Sequence, residues 1–315
     1  MMPKTVFTQE QQLDLTRRLQ LLLLDSMAAS GSWLTGDSAR FQGGTCLSLS
    51  YGSSRFSEDL DFVLGTDKGL SRMLAGAQAR MANLLRVATP GAQVRFATRD
   101  ESLEADQSRN PRTFTMTVSH PEWYRAIKVK VEFWVADPEA VRQYEARVIP
   151  AKLLAAAVDG VPLRMALPPV MLPTATLQEI LVDKLHALAC REYLKLRDVY
   201  DLWWLAEQGT QAWSAELVAR YGHHERMYND SPSLERLADV LLEKTQDILT
   251  LIGRPAFADE LKRWLGEGSA LATQGAADAM ASRVVDRLQT MVAELKDEMG
   301  ESEAAERAMR PREGG

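Results

Sequence analysis

The chain has 315 residues, of which 46% are apolar, 25% charged and 7% aromatic, the balance of a soluble globular protein; collagen-like, low-complexity and wholly disordered classes are excluded. At roughly 100 to 200 residues per domain, this length predicts two lobes. Its 43 acidic and 37 basic residues leave a net charge of −6, which excludes coating nucleic acid by bulk charge and confines any such contact to a local patch.

The first helix is predicted from Thr8, because Thr8 and Gln11 form a capping-box pair and Leu15, Leu19 and Leu22 recur at helical spacing. It should end near Ser30 or Gly31. Its run from Leu19 to Leu24 is interrupted by Gln20 and closed by Asp25, far short of the ~20 apolar residues of a membrane span, and no cleavage site follows. Cys46 and Cys190 have no CxxC partner, so neither a disulfide framework nor a zinc site is indicated. A buried amphipathic helix in a cytoplasmic protein, with no membrane contact, is the expectation.

After the small-residue segment GGTCLSLSYGSSRF, in which Gly43 to Thr45 reads as a turn, DLDFVL alternates Leu60 and Phe62 with Asp59 and Asp61 and predicts a strand. Leu70 to about Arg86 predicts a helix with Met73, Leu74, Ala77, Met81 and Leu84 on one stripe. Three alternating runs follow, Val94 to Thr98, Phe114 to Val118 and Ile127 to Phe133, and predict further strands. Three prolines in Leu167 to Pro173 forbid a helix interior, and the pattern beyond them is almost continuously helical. Thr176 and Glu179 form a second capping-box pair that opens a helix to about Tyr193, and Arg197 starts another that Gly209 ends. The fold class expected is α/β (α+β): a mixed-sheet lobe over 1–170, a helical lobe over 171–300, and a disordered tail over 301–315, which lacks apolar periodicity.

Asp59 and Asp61 stand two apart on a strand, so both point to one face, one pleat repeat apart. Two carboxylates held this way repel unless a cation lies between them, and hard divalent ions favour oxygen-rich sites; a solvated edge strand is the alternative. Glu132 shares a face with Lys128, Lys130 and Trp134, so it either stands beside the aspartates as a third acid or pairs with a lysine across strands. Gly43, Gly44 and Thr45 offer backbone N–H groups, a hydroxyl and little bulk, which suits phosphate oxygens, although a Gly-Gly is also an ordinary turn. Taken together, these are the ingredients of two-metal phosphoryl or nucleotidyl transfer.

The run GGTCLSLSYGSSRFSEDLDF resembles the signature of the AbiEii-type nucleotidyltransferase toxins, of the DNA polymerase β-like nucleotidyltransferase fold. Gly44 and Thr45 are followed, after thirteen residues, by Asp59-Leu60-Asp61; KVEF, Lys130 to Phe133, matches the third-acid strand, and LQEILVDKLHAL with Arg191 and then RDVYDL match the later motifs. The likeness spans about residues 41 to 203. It implies Asp59, Asp61 and Glu132 as ligands of Mg²⁺ or Mn²⁺, an NTP substrate contacted by Gly43, Gly44, Thr45, Arg55, Ser57, Lys184 and Arg191, and catalytic roles for Lys184 and Asp198. Some members carry lysines at the positions of Gln42 and Leu49; here phosphate charge falls to Arg55, Lys184 or Arg191. The resemblance further implies a tRNA 3′ end as acceptor, blocked translation, and a cognate antitoxin in a system associated with phage defence. Transfer to a protein or small-molecule hydroxyl and a degenerate binding module are the alternatives.

Other groups carry less. Lys184 and Arg191 are seven apart, on one helix face, and read equally as a snorkelling solvated pair. Asp198 and Asp201 either face a cleft or pair with Arg197 and Lys195. The histidines 120, 186, 223 and 224 show no metal-ligand spacing, Trp203 and Trp204 read as packing residues, and the serines 48 to 57 lack a nucleophile elbow. Arg109, Arg112, Arg125, Lys128 and Lys130, against Glu122, form a basic strip that either guides an RNA backbone or belongs to solvated strand faces.

Overall fold

The computed structural model describes residues 4–31, 34, 37–98, 110–153, 158–163, 165–210, 212–228, 231–266 and 268–309, with side chains up to residue 300. Two compact units result, one of residues 1–176 with 264–266, the other of 177–263 with 267–315.

The first unit opens with α1 (Gln9–Ala29), started by the reciprocal cap: Thr8 Oγ1 accepts from Gln11 N at 3.2 Å, and Gln11 Oε1 accepts from Thr8 N at 3.0 Å. Leu15, Leu19 and Leu22 to Leu24 are fully buried, each contributing about 1.5–3 kcal/mol of transfer energy before chain entropy is counted. The sheet strands are β1 (Ala39–Gln42), β2 (Asp59–Leu64), β3 (Gln93–Ala97), β4 (Arg112–Ser119), β5 (Ile127–Val135), β6 (Ala146–Ala151) and β7 (Val170–Ala175), in the order β3-β4-β5-β2-β1-β7-β6. The sheet is mixed: β2 runs parallel to β5 and β1 parallel to β7, and the remaining neighbours are antiparallel. Helices α2 (Gly43–Tyr51), α3 (Leu70–Ala88) and α4 (Pro138–Gln143) complete the unit. The α/β class is as expected.

On β4 and β5 the alternation buries Phe114, Met116, Val118, Val129, Val131 and Phe133, and on β2 it buries Leu60 and Phe62, while the residues between stay half-exposed. Helix α1 packs against α3, β5 and β7. The turn expected at Gly43 to Thr45 is instead the first turn of α2, entered through Gly43 at φ +78°, a left-handed conformation that a side chain resists. The proline-rich run, expected only to exclude a helix interior, enters β7 at Val170. Pro173 is tolerated because β7 meets β6 along its length but meets β1 at a single register pair, Phe41 with Thr174.

Among its described residues the second unit has helices and no strand: α5 (Leu177–Cys190), α6 (Leu196–Glu207), α7 (Trp213–Met227), α8 (Leu234–Leu249), α9 (Pro255–Leu265, of which 264 and 265 fall in the first unit) and α10 (Gln274–Met309). Helix α5 ends three residues short of Tyr193, and α6 stops before Gly209 at φ +85°. Trp204 is buried and Trp203 half-buried in α6. Helix α10 packs against α6, α7 and α8, and its backbone continues through 309, so only 310–315 of the expected tail lie outside the described residues. No described helix is long and apolar enough to cross a membrane.

Candidate active site

Parallel pairing of β2 with β5 sets Asp59 beside Lys130 and Asp61 beside Glu132. Side chains at paired positions leave the same sheet face, so the three carboxylates stand side by side, opposite the buried Leu60, Phe62, Val131 and Phe133. Glu132 therefore meets both sequence readings at once: it is the third acid, and it pairs with a lysine. Lys130 Nζ lies 3.4 Å from Asp59 Oδ2 and 3.2 Å from Glu132 Oε1. Burial works to lower the Lys130 pKa, but Asp59 and Glu132 outweigh it and hold the ammonium above its ordinary value. Thr113, the neighbour of Glu132 on β4, donates to Glu132 Oε1 at 3.5 Å.

The start of α2 closes on this face. Gln42, its N-cap, pairs with Asp61 in the β1–β2 register. A Cβ at Gly43 would overlap Asp61 Oδ2 and stand 3.0 Å from its Cβ and Cγ; one at Gly44 would overlap Arg55 Nη2 and stand 2.8 Å from Ser57 Oγ. Both glycines thus serve close approach, and the first-turn N–H groups of α2 have no partner within the helix, which suits an anion. Thr45 is used differently: its buried hydroxyl donates to the Asp59 carbonyl, fastening α2 to β2. Arg55 is 2% exposed, its Nη1 donating to the Phe56 carbonyl at 2.9 Å. Any charge it lends acts through a poorly screened interior rather than as an exposed donor. Gln20, read in the sequence only as a break in a leucine run, donates from α1 to the Ser57 and Glu58 carbonyls at 2.8 and 3.1 Å and fixes the entry to Asp59.

Gly43→Ala must move the Asp61 side chain and strain φ, so it is expected to cost about 1–3 kcal/mol of stability in a thermal melt. A variant as stable as wild type would contradict the packing of Gly43 on Asp61.

The basic strip is not continuous. Arg112 pairs with Asp67 at 3.2 Å, Lys130 turns to the acids, Arg125 lies over the Tyr124 ring at 5.6 Å, and Lys128 is exposed; Arg109 lies outside the described residues. Lys184, Arg191 and Asp198 belong to the second unit. There Lys184 Nζ lies 3.0 Å from Asp198 Oδ1 and 2.7 Å from Asp201 Oδ2, and Arg191 also pairs with Asp198. Both aspartates are buried, Lys184 nearly so, and Arg191 one-third exposed. This network ties α5 to α6.

Sequence spacing missed a second cluster in that unit. Glu179 on α5 meets His223 and His224 on α7; both Nε2 atoms approach Glu179 Oε2, at 2.9 and 2.7 Å. Among the described residues this is the group of three such side chains whose ligand atoms fall within 4.8 Å of one another. A proton explains it better than a metal. His224 Nδ1 lies 3.0 Å from Asp183 Oδ1, which also accepts from Tyr228 at 2.7 Å, so His224 is held between two carboxylates. Burial works to lower its pKa, but Asp183 and Glu179 outweigh it and raise it to about 9. Burial works to raise that of Glu179, but the two histidines pull it to about 2. The 2.7 and 2.9 Å separations are hydrogen-bond lengths. The adjacent histidines were the sequence signal, but their partner lies 44 positions upstream.

Over residues 34–281 the chain matches the family model described as nucleotidyl transferase AbiEii toxin, type IV TA system. A search of curated proteins gave no match. Among solved structures, JHP933 from Helicobacter pylori is similar with a TM-score of 0.50 at 18% identity, covering 91% of this chain and 98% of that one, a likeness of fold alone. MenT4, the nucleotidyltransferase toxin Rv2826c from Mycobacterium tuberculosis H37Rv, gives a TM-score of 0.47 at 16% identity over 92% of this chain and 95% of that one.

Proposed function

The chain belongs to the AbiEii family of nucleotidyltransferase toxins, and we propose on that premise that it moves a nucleoside monophosphate from an NTP to the 3′-terminal hydroxyl of tRNA. The observation that carries the reading is the β2–β5 register, which sets Asp59, Asp61 and Glu132 side by side next to the start of α2. Their donor chemistry fits a hard divalent cation, Mg²⁺ or Mn²⁺, because three carboxylates share one partly exposed face and two of them, Asp59 and Glu132, already attract a cation, the Lys130 ammonium. Bound there, the metal would lower the pKa of the acceptor hydroxyl and offset charge on the triphosphate.

The chain's own residues do the rest. The first-turn N–H groups of α2, at Gly44 and Thr45, receive phosphate oxygens, and Gly43 keeps the route to Asp61 free of a side chain. Arg55, behind Gly44, and Ser57 support that turn. In the second unit, the pairing of Lys184 with Asp198 and Asp201 supports a positioning role for that trio, beside which Arg191 is the more exposed cation. Modified tRNA ends would block aminoacylation and stop translation, and a cytoplasmic protein opposed by a cognate antitoxin, with a role in phage defence, is the setting this reading proposes.

Incubation with total tRNA, Mg²⁺ and each α-labelled NTP in turn tests this reading. Label is expected in tRNA, and not in tRNA whose 3′-terminal diol has been oxidised beforehand. Label confined to protein or small molecules would replace the acceptor, and no transfer at all would leave a degenerate binding module.

A further inference from the structure

The ammonium of Lys130 rests on two of the three acids, 3.4 Å from Asp59 and 3.2 Å from Glu132. Both separations exceed the 2.7–2.9 Å of a tight charge-assisted bond, so Lys130 is shared between the acids rather than locked to either. Its side chain is 40% exposed and unbranched, which leaves a path to solvent without disturbing the buried face of β5. The register of β2 and β5 fixes this placement: Lys130 is the residue paired with Asp59, and Glu132 follows it on the same face. A divalent ion held by Asp59 and Glu132 would need oxygen lone pairs that now face Nζ.

We infer that Lys130 is a built-in counter-cation of the acidic face, one that competes with a divalent ion for the carboxylates of Asp59 and Glu132. This rests on the proposed metal-dependent transfer and adds a residue that sets how much metal the enzyme needs. Without Lys130 the three carboxylates would repel one another; with it they stay organised, and every binding event must compete with it. Lys130 is thus a positioning residue, not a catalytic one.

Mn²⁺ binding to the full chain, followed by calorimetry and by the Mn²⁺ electron paramagnetic resonance signal, tests the inference. Lys130→Met is expected to bind Mn²⁺ about five- to tenfold more tightly than wild type, the worth of two partly exposed ion pairs, while Lys130→Arg keeps the weaker wild-type affinity. In thermal melts Lys130→Met should be the less stable protein without metal and show the larger rise in Tm with Mn²⁺. The sign is diagnostic, since loss of a merely supporting side chain would weaken metal binding. Unchanged or weaker Mn²⁺ binding by Lys130→Met overturns the inference; if that variant does not fold, Lys130→Gln faces the same criterion. Asp59→Asn separates the layers: if wild-type binding survives that change undiminished, or wild type binds no Mn²⁺, the metal-dependent function fails and this inference with it.

Discussion

Asp61→Asn is expected to abolish nucleotidyl transfer, by roughly 10³-fold or more, while leaving the protein as stable as wild type or slightly more so. The two effects part because they have different origins. Asp61 stands beside Glu132 in the register and two residues from Asp59 on the same face, so the amide relieves like-charge repulsion on that face while it removes an anionic ligand for a divalent cation. The amide keeps the shape against Gly43 and removes one anionic donor. Transfer to tRNA measured beside a thermal melt checks both halves. In cells, expression of wild type should arrest growth and the variant should not. Equal toxicity of the two would mean that binding rather than transfer does the harm.

His224→Leu is expected to cost about 3–5 kcal/mol of folding stability at neutral pH, because it leaves Glu179 and Asp183 facing a buried position with their shared cation gone. The same network sets a pH dependence. His224 has a folded pKa of about 9 against an ordinary 6.5, so its contribution, about 3 kcal/mol at most, is complete below pH 6.5 and is lost as pH rises through 9. Glu179, held at about 2 against 4.5, contributes fully above pH 4.5 and loses that contribution as pH falls through 2. The second unit should therefore be most stable between about pH 4.5 and 6.5. Urea melts of wild type across pH 5 to 9.5 should show a decline at the alkaline end that His224→Leu lacks. A flat wild-type profile would show His224 to be neutral, and would reopen the cluster to a metal.

Much of the acidic face was legible because strand alternation depends only on side-chain burial. Asp59 and Asp61 fall opposite Leu60 and Phe62, and Glu132 opposite Val131 and Phe133, whatever the strand order. The register was not legible: β2 and β5 pair although α3, β3 and β4 intervene, and no local pattern says whether Lys130 or Glu132 lands beside Asp59. Helix α2 was hidden for another reason. Residues 44 to 49 are buried on all sides, so the helix has no polar stripe to betray its period, and Gly-Gly-Thr reads locally as a turn. Strand β7 was masked by Pro173. The Glu179–His223–His224 cluster joins helices α5 and α7, and only tertiary packing makes it a cluster.

Crystals of the full chain grown with Mn²⁺ and an unreactive NTP analogue, read by anomalous scattering, reach the acidic face itself. The expected result is a Mn²⁺ peak within about 2.0–2.6 Å, the range of hard cation–oxygen bonds, of carboxylate oxygens of Asp59, Asp61 and Glu132, with Lys130 turned away. A peak at Glu179, His223 and His224 instead, or none on the sheet face with Lys130 still seated between Asp59 and Glu132, would contradict the metal-dependent site.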